Sequence, residues 1–496
     1  MRQPAGPERR LILLSNRLPF VVQRDAQGGT TVEPGAGGLV TALAPVLRDR
    51  GGTWIGWSGA LDEENLDLPR MLRGAARASG YSLEPIQLTA RERTFFYHGF
   101  ANEIVWPLFH DLQSRCRFES GYWESYRDVT RKYAAAAAGL TRHGDLIWVH
   151  DYHLMSVGRE LREMGVHNRL GFFLHIPFPP LDIFLKLPWR FPILRDLLTY
   201  DLIGFQTLRD RRNFVQCVRR LGEGAVVRGK GQVTRLRGAG CETRLGVFPI
   251  GIDFREFAHR ASAPEVTAAA ASVAAHHHGG CLLLGVDRLD YTKGIPEKLL
   301  AFREALRRNP DMLGRVTLVQ VVVPSRGEIP QYSDLLGEIE QLVGRINGEF
   351  TRAGWLPVHY MYRSLLQPEL LSYYRAADVL LTTPCKDGMN LVAKEYCACQ
   401  LQERGVLILS EFAGAAAQLQ RGALLANPYD TEGMAEAIRI ACAMPEAERR
   451  KRMHRMRLVI RRQDVFWWVN GFLEAWSGGR LDNFPVQDDY MPEAPA

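Results

Sequence analysis

Short runs of apolar residues recur along most of the chain, and they are continuous rather than alternating with polar positions. A continuous apolar run is typical of a strand that is buried on both faces of a parallel sheet. Helical patterns lie between several of the runs, as where Ile295, Leu299 and Phe302 repeat at helical spacing. Alternating strands and helices predict doubly wound α/β sheets. The predicted strands are Leu11–Leu14, Leu146–Val149, Leu170–Leu174, Cys281–Val286, Val316–Val323 and Val379–Thr383.

A charged or imidazole side chain lies just past the carboxyl end of each predicted strand. In open α/β sheets, ligands bind outside the carboxyl ends of the strands. The placements fall in both halves of the chain, so the pattern predicts one cleft between two domains that face each other. The side chains are Arg17, Asp151, His175, Arg288, Arg326 and Asp387.

The loop after the fourth predicted strand carries two cations five residues apart. Arg288 and Lys293 lie in the run Gly-Val-Asp-Arg-Leu-Asp-Tyr-Thr-Lys-Gly. Arg offers a bidentate fork and Lys a point charge, so together they can surround a diphosphate. The alternative is a pair of solvated loop cations that Asp287 and Asp290 partly neutralise.

The run Asp387 to Glu395 reads Asp-Gly-Met-Asn-Leu-Val-Ala-Lys-Glu. Gly388 allows close approach of the backbone to a ligand. A helix is expected to start near Asn390, which would direct free N–H groups and a positive dipole at an anion. Glu395 could accept two hydrogen bonds from a ribose diol. The alternative is an ordinary capped helix with an exposed glutamate.

A second phosphate could bind to Arg17, Arg326 and the Tyr97 hydroxyl, although arginines are also common on protein surfaces. His150 and His153 are expected to be buried structural histidines, because neighbouring residues of an extended segment point to opposite faces. Asp151 and His175 are the better catalytic pair.

Composition narrows the function classes only slightly. The chain has 496 residues, with 46% hydrophobic and 24% charged, and a net charge of +7 that arises from interspersed residues of both signs. The richest basic stretch, 209–220, predicts a solvated helix face over an apolar stripe rather than a nucleic-acid site. The stretch 261–280 separates the two halves and is expected to be a surface helix and connector; its histidines 276–278 are adjacent and would not converge on one ion. The loop 222–242 has no predicted structure.

Scattered cysteines, the absence of a signal-peptide pattern and the absence of a long apolar run predict a cytoplasmic protein without a membrane partner.

Several motifs resemble those of the trehalose-6-phosphate synthases, glycosyltransferase family 20. The resemblance runs in order from about Leu11 to about Trp476. The motifs are Leu-Ser-Asn-Arg-Leu-Pro, Ala-Gly-Gly-Leu, Trp-Ile-Gly-Trp-Ser-Gly, Trp-Val-His-Asp-Tyr-His-Leu, Phe-Phe-Leu-His-Ile-Pro-Phe-Pro, Gly-Phe-Gln-Thr, Arg-Leu-Asp-Tyr-Thr-Lys-Gly, Asp-Gly-Met-Asn-Leu-Val-Ala-Lys-Glu, Ser-Glu-Phe-Ala-Gly and Asn-Pro-Tyr-Asp.

The resemblance implies an α/β protein of the glycosyltransferase B fold, with two Rossmann-like domains facing a central cleft. It implies an acceptor-binding domain at 1–254, a nucleotide-sugar-binding domain at 255–465, and a helix and tail at 466–496 that pack back on the N-terminal domain. The implied reaction transfers glucose from a nucleoside diphosphate glucose, with UDP-glucose the expected donor, to glucose 6-phosphate. The product is α,α-trehalose 6-phosphate, configuration is retained, and neither metal nor cofactor is expected.

The resemblance also assigns residues to roles. The implied catalytic residues are Asp151, His175, Arg288, Lys293 and Asp387. The implied acceptor-binding residues are Arg17, Tyr97, Trp106, Asp151 and Arg326. The implied donor-binding residues are Gly37, Gly38, His175, Arg288, Lys293, Leu365, Asp387, Gly388, Met389, Asn390, Leu391, Val392, Ala393, Lys394 and Glu395.

Two other functions stay open on the sequence. One is a glucosylglycerol-phosphate synthase that uses glycerol 3-phosphate. The other is an inactive family member that only senses sugar phosphates. The expected partners are a nucleotide sugar and a sugar phosphate, with no nucleic acid, and the chain could form a homo-oligomer.

Overall fold

The computed structural model describes residues 10–24, 29–35, 38–222, 224–229, 231–238, 241–276, 280–325, 330–479, 484 and 487–492. The chain forms two compact units. The first is Met1–Phe248 with Trp468–Gln487, and the second is Pro249–Trp467 with Asp488–Ala496. The domain limits inferred from the family resemblance remain predictions.

The first unit is built on a nine-stranded sheet with the order β5-β4-β1-β6-β7-β8-β11-β10-β9, beside a small β2-β3 hairpin. Neighbouring strands from β5 to β11 are parallel, and β10 and β9 are antiparallel additions at the edge. The strands are β1 Leu11–Arg17, β2 Phe20–Arg24, β3 Thr30–Pro34, β4 Gly52–Leu61, β5 Ser82–Leu88, β6 Leu146–His150, β7 Arg169–Phe173, β8 Leu202–Phe205, β9 Val226–Arg228, β10 Val233–Gly238 and β11 Cys241–Val247.

Helices connect these strands, and one of them is a π-helix over Arg93–Val105. The α-helices of this unit are α1 Gly38–Arg50, α2 Leu68–Ser79, α3 Ala90–Glu92, α4 Trp106–Phe109, α5 Ser120–Leu140, α6 Val157–Glu163, α7 Leu181–Phe184, α8 Arg190–Leu197 and α9 Leu208–Leu221.

The second unit contains one parallel six-stranded sheet with the order β14-β13-β12-β15-β16-β17. Its strands are β12 Cys281–Arg288, β13 Val316–Val323, β14 Val358–Tyr362, β15 Val379–Thr382, β16 Val406–Ser410 and β17 Leu424–Ala426. The helices are α10 Phe254–Ala261, α11 Pro264–His276, α12 Ile295–Arg308, α13 Pro330–Phe350, α14 Gln367–Ala376, α15 Leu391–Cys399, α16 Ala416–Leu419, α17 Thr431–Ala443 and α18 Glu446–Arg462; α19, Val465–Ser477, starts in this unit and ends in the first.

The continuous apolar runs became central strands, as their pattern predicts. Leu11 to Leu14 of β1 and Leu282 to Leu284 of β12 are at most 2% exposed. Burial on both faces therefore explains the absence of alternation in these runs.

The segment without a predicted structure, 222–242, contains β9, β10 and the start of β11. Of these strands, β10 and β9 extend the sheet of the first unit beyond β11 in antiparallel order. The predicted connector helix over 261–280 is α11, which ends at His276; His277 and His278 lie outside the described residues.

An aromatic stripe on α19 packs within the first unit. The ring of Phe472 stacks on Trp148 of β6, with centroids 4.4 Å apart and ring planes 10° apart. Trp468 and Trp476 also contact Trp148. Among the described residues, no helix combines the length and the apolar character needed to span a bilayer.

Candidate active site

Each parallel sheet has a point where the chain reverses the direction in which it adds strands. In the first unit this point lies between β1 and β6, and in the second between β12 and β15. Ligands bind at such switch points because loops from the two adjacent strands diverge there. Arg17 ends β1 and Asp151 follows β6, whereas Arg288 ends β12 and Asp387 follows β15. Both groups of predicted residues therefore lie at switch points.

In the second unit, an ion pair joins the two loops at the switch point. Lys293 Nζ donates to Asp387 Oδ2 at 2.7 Å, and both side chains are largely buried. Asn390 Nδ2 donates to the same oxygen of Asp387 at 3.1 Å. The two motifs that the sequence places 94 residues apart are thus in direct contact.

Asn390 also begins α15, as the sequence predicts. Its side chain accepts a hydrogen bond from Ala393 N at 3.1 Å, and its φ of 82° is unusual for a residue other than glycine. A non-glycine residue at positive φ is typical of a site where the backbone is held for a purpose. The remaining N–H groups of the first turn, which includes Leu391 and Val392, make the start of α15 suitable for an anion.

Glycine is required where the two loops meet. Gly294 has a φ of 64°, and a Cβ there would lie 2.4 Å from Thr383 O. Cys385 N donates to Thr292 O at 2.9 Å, so the backbones of the two loops run side by side. A larger residue at 294 would separate Lys293 from Asp387.

The backbone of residues 387–389 is fixed from the other side by the segment after β16. Gly414 N donates to Asp387 O at 3.1 Å, and Ala415 N donates to Met389 O at 2.8 Å. A Cβ on Gly414 would lie 1.9 Å from Gly388 O. This contact explains why the Ser-Glu-Phe-Ala-Gly motif accompanies the Asp-Gly-Met-Asn motif.

Two adjacent ionisable residues on α15 have strongly shifted pKa values. Burial raises the pKa of Glu395 to about 7, and the Tyr374 hydroxyl donates to its Oε2 at 3.0 Å. Burial lowers the pKa of Lys394 to about 7. Lys394 Nζ donates to Ile250 O at 2.6 Å and to Gln418 Oε1 at 2.7 Å, so this lysine is a structural donor.

A buried ion pair supports the loop that carries Arg288 and Lys293. Lys298 Nζ of α12 donates to Asp287 Oδ2 of β12 at 2.5 Å, and their side chains are 0% and 3% exposed. Gln320 Nε2 donates to the same oxygen at 3.1 Å. These contacts fix β12, β13 and α12 together on both sides of the loop.

In the first unit, Arg17 lies among aromatic rings. Its guanidinium carbon is 3.8 Å from the ring centroid of Trp57 and 5.5 Å from that of Tyr97. Trp57 is the register partner of Arg17 in the β1–β4 pair, and its Nε1 donates to Ala60 O at 2.7 Å. No carboxylate among the described residues pairs with Arg17, so its N–H donors can serve a ligand.

Asp151 contacts the backbone of His175, the residue with which the sequence pairs it. Asp151 Oδ1 accepts a hydrogen bond from His175 N at 3.1 Å. Asp151 has a φ of 73°. This backbone conformation is uncommon for a residue other than glycine.

Burial lowers the pKa of His175 to about 3, so its imidazole is neutral near neutral pH. Its Nε2 lies 3.0 Å from His150 Nδ1, and one of the two nitrogens must carry the shared proton. Gln206 Nε2 lies 3.5 Å from His175 Nδ1. The ring is therefore held by polar contacts on both nitrogens.

Trp106 is buried at the start of α4. Its ring packs on His110 at 4.3 Å and on Tyr152 at 5.7 Å between centroids. Tyr152 follows Asp151 directly, so Trp106 lies one side chain away from the switch point of the first unit.

The remaining predicted residues divide into described and undescribed positions. Gly38 is the first residue of α1, and Leu365 lies between β14 and α14 at the same edge of the sheet as Arg288. Gly37 and Arg326 lie outside the described residues. The part of the chain that the structure describes contains no group of three or more potential metal ligands.

Sequence reasoning missed several neighbours of the predicted residues. Trp57 could have been found, since Trp-Ser-Gly ends a strand next to β1, but β4 was not predicted. His150 is buried, as expected of a structural histidine, but its contact with the His175 ring was not predicted. Gln206 and Lys298 gave no distinct signal, because each is a single polar residue whose partner lies on another element.

Comparison with known proteins agrees with this geometry. The model of glycosyltransferase family 20 matches residues 9–477. The bifunctional trehalose-6-phosphate synthase/phosphatase of Thermoproteus tenax is 42% identical over 479 residues, which cover 94% of this chain and 63% of that longer protein. The trehalose-6-phosphate synthase of Mycobacterium bovis is 40% identical over 472 residues and 94% of each chain.

A solved structure also matches closely. It is an α,α-trehalose-phosphate synthase (UDP-forming) from Burkholderia xenovorans in complex with glucose 6-phosphate, with a TM-score of 0.85 and 35% identity. The match covers 95% of this chain and 100% of the other. The predicted glycosyltransferase B fold class is thereby confirmed. A family model that matches nearly the whole chain, together with relatives of this similarity, shows that the chain belongs to glycosyltransferase family 20.

Proposed function

We propose that this glycosyltransferase transfers glucose from UDP-glucose to glucose 6-phosphate and forms α,α-trehalose 6-phosphate with release of UDP. The bond between the glucose C1 and the diphosphate oxygen breaks, and a bond forms between C1 and the anomeric oxygen of the acceptor. The contact between Lys293 and Asp387 supports this proposal most strongly, because it joins two loops at the switch point of the second unit.

The second unit supplies the proposed donor site. Arg288, Lys293 and the free N–H groups at the start of α15 bind the diphosphate. Glu395 accepts hydrogen bonds from the ribose diol, and the backbone near Leu365 meets the base. Asp387 contacts the transferred glucose while it orients Lys293, because its Oδ2 already accepts from that ammonium.

The first unit supplies the proposed acceptor site. Arg17 binds the phosphate of glucose 6-phosphate, with Tyr97 beside it and Arg326 as a further predicted ligand. Asp151 accepts hydrogen bonds from acceptor hydroxyls. Trp106 shapes the pocket for the anomeric selection of the acceptor.

His175 and the glycine pair at 37–38 complete the proposed donor contacts. The His175 imidazole is neutral and its two nitrogens contact His150 and Gln206, so it meets the transferred glucose without a charge. Gly37 and Gly38 bring backbone N–H groups near the donor phosphate.

The proposed mechanism depends on stabilisation of the leaving group. Negative charge grows on the departing UDP, and Arg288, Lys293 and the N–H groups of α15 are already oriented to receive it. Asp387 Oδ2 accepts hydrogen bonds from Lys293 and Asn390, so this carboxylate is a poor nucleophile. We infer attack from the face that the diphosphate leaves, with the leaving phosphate accepting the proton of the acceptor hydroxyl. Mass spectrometric detection of a glucosylated enzyme would contradict this step.

A panel of donors and acceptors tests the function. UDP-, GDP- and ADP-glucose are each incubated with glucose 6-phosphate or glycerol 3-phosphate, and the products are identified by mass spectrometry. The expected result is trehalose 6-phosphate, with the highest kcat/KM for UDP-glucose. A glycerol product would favour the glucosylglycerol-phosphate synthase. Absence of nucleotide release from every pair would favour the sugar-phosphate sensor.

Location and assembly are further parts of the proposal. A cytoplasmic enzyme has direct access to both phosphorylated substrates, and fractionation of cells tests this location. A homo-oligomer is tested by light scattering of the purified protein.

A further inference from the structure

A cavity of about 630 Å³ lies beside α9 in the first unit and has no role in the proposed reaction. Its lining includes Arg211, Arg212, Arg219 and Arg220, with Val215 among the apolar members. No carboxylate occurs among the described residues that line it. A cavity whose described lining has four arginines and no acid has the composition of an anion site.

Two of the arginines lie on the same side of the helix because of their spacing. Arg212 and Arg219 are seven residues apart, which is about two turns, so they lie within roughly 20° of each other around the axis and about 10 Å apart along it. Long side chains at that separation can converge on one ligand with several anionic groups.

Two of these arginines are not neutralised by the protein. Arg219 and Arg220 are exposed, and neither side chain has an ion-pair or hydrogen-bond partner within the described parts of the chain. Some other exposed arginines, such as Arg439 with Glu436, have a carboxylate beside them. The charge at the end of α9 is therefore available to a ligand.

Arg211 is affected first by its burial and then by the charge of its neighbour. Its Nη1 donates to the carbonyls of Gly231 and Gln232 at 2.8 Å each. Burial, together with the charge of Arg212, lowers the pKa of Arg211 to about 10. A bound anion would reverse the effect of the neighbouring charge.

Helix α9 connects this cavity to the segment that follows His175. Asp210 Oδ1 accepts from Phe178 N at 3.0 Å, and Asn213 Nδ2 donates to Phe178 O at 2.8 Å. Gln206, just before the helix, lies 3.5 Å from the His175 ring. A shift of α9 would therefore move the segment 175–178.

We propose that this cavity is an effector site for a small phosphorylated anion, separate from the proposed donor and acceptor sites, and that its occupation changes turnover through α9. The cavity is bounded by α9 and the β9–β10 hairpin, which suits a compact ligand rather than a long polymer. The arginines recognise a small molecule that carries two or more phosphate groups.

The binding test uses inorganic pyrophosphate as the probe. Titration calorimetry is done with saturating UDP and glucose 6-phosphate, so that the proposed catalytic sites are occupied. The cavity variant is R219Q/R220Q. The matched control is R461Q/R462Q, which removes two adjacent exposed arginines from the last turn of another helix, α18.

The expected result is one pyrophosphate site in the wild type and the control, with affinity at least tenfold weaker in R219Q/R220Q. Losing a charge-assisted contact costs about 1.5–3 kcal/mol, which corresponds to roughly tenfold or more. Equal affinity in all three proteins would overturn the proposal. Stronger binding of short single-stranded DNA than of pyrophosphate would assign the cavity to a polymer instead.

The coupling test measures UDP release at saturating substrates with and without pyrophosphate. We expect kcat to change at least twofold in the wild type and in R461Q/R462Q, and to stay constant in R219Q/R220Q. An unchanged kcat in the wild type would overturn the effector role. Failure of the proposed reaction would appear separately, as absence of UDP release without any pyrophosphate. Melting temperatures of the three proteins establish that each is folded.

Discussion

The two switch points hold their cations in different ways. In the second unit, Lys293 is paired with Asp387 inside a network of hydrogen bonds. In the first unit, Arg17 lies on Trp57 and beside Tyr97, and no described carboxylate neutralises it. An anion at Arg17 therefore finds an intact positive charge, whereas an anion at Lys293 must share the ammonium with a carboxylate.

This difference matches the two proposed tasks. A site that only binds a phosphate benefits from a cation whose donors are free. A site that stabilises charge in a transition state benefits from a cation whose position is fixed before the reaction. Changes in the second unit should consequently reduce kcat, and changes around Arg17 should raise the KM for the acceptor.

The largest expected effect follows from removing the fixed cation. Lys293→Ala should lower kcat about 100- to 1000-fold, the usual loss when one group that stabilises a leaving or oxyanionic charge is removed. Arg288→Ala should behave similarly. Steady-state UDP release measures both variants, and Lys451→Ala on the exposed face of α18 is the control. Near-normal kcat in both variants would refute the donor-site assignment.

The next effect concerns the acceptor phosphate. Arg17→Ala should raise the KM for glucose 6-phosphate about 10- to 100-fold, because one charge-assisted contact is worth about 1.5–3 kcal/mol. Arg326→Ala should do the same if that residue completes the site. Arg17→Lys keeps the charge but loses the bidentate fork, so it should recover only part of the affinity. An unchanged KM would move the phosphate site elsewhere.

The pH dependence of UDP affinity tests the proposed ribose contact in the second unit, because burial raises the pKa of Glu395. With the pKa of Glu395 at about 7, the carboxylate is ionised at pH 8 and largely protonated at pH 6. Protonation weakens it as an acceptor, so UDP should bind about tenfold less tightly at pH 6 than at pH 8.

Glu395→Gln supplies the control for this profile. Titration of the UDP phosphate and of Lys394 affects both proteins equally, so the difference between them reports Glu395 alone. Calorimetry measures the UDP affinity of both proteins at pH 6 and at pH 8. The same change in affinity with pH in the two proteins would contradict the role of Glu395.

The smallest expected effect comes from the ring under Arg17. Trp57→Leu should raise the KM for glucose 6-phosphate about two- to fivefold, the value of a cation–π contact of about 0.5–1 kcal/mol. Trp57→Phe keeps a ring and should have a smaller effect. Because Trp57 is 2% exposed, the melting temperature will also fall in both variants. If the rise in KM in the two variants matches their loss of melting temperature, whether or not a ring is kept, Trp57 acts through packing alone.

Sequence patterns predicted six strands of the two sheets, but they missed β4, β8 and β16, which are also largely buried. The run Val316–Val323 is a strand with those limits, and the other five predicted strands differ by no more than a few residues. The strands β9 and β10 near the edge of the sheet were not predicted, because they are partly polar and their pairing is antiparallel. Local patterns do not report such pairing, which depends on a neighbouring strand.

The sequence predicted the function of the site better than the contacts within it. The strand-end rule located Arg288, Lys293 and Asp387, and the motifs identified the family. The prediction of a trehalose-6-phosphate synthase is confirmed by the comparisons. The pairing of Lys293 with Asp387 and the support from Lys298 could not be predicted, because each contact joins elements whose relative placement exists only in the folded unit.

The two edges of the nine-stranded sheet have a consequence for the newly made chain. One edge strand, β5, contains Pro85, and the other, β9, has three residues and ends at Arg228. Proline has no N–H to offer another strand, and short charged edges pair poorly with further chains. The first unit thus resists aggregation by strand addition on both sides, which protects the protein while its concentration rises during synthesis.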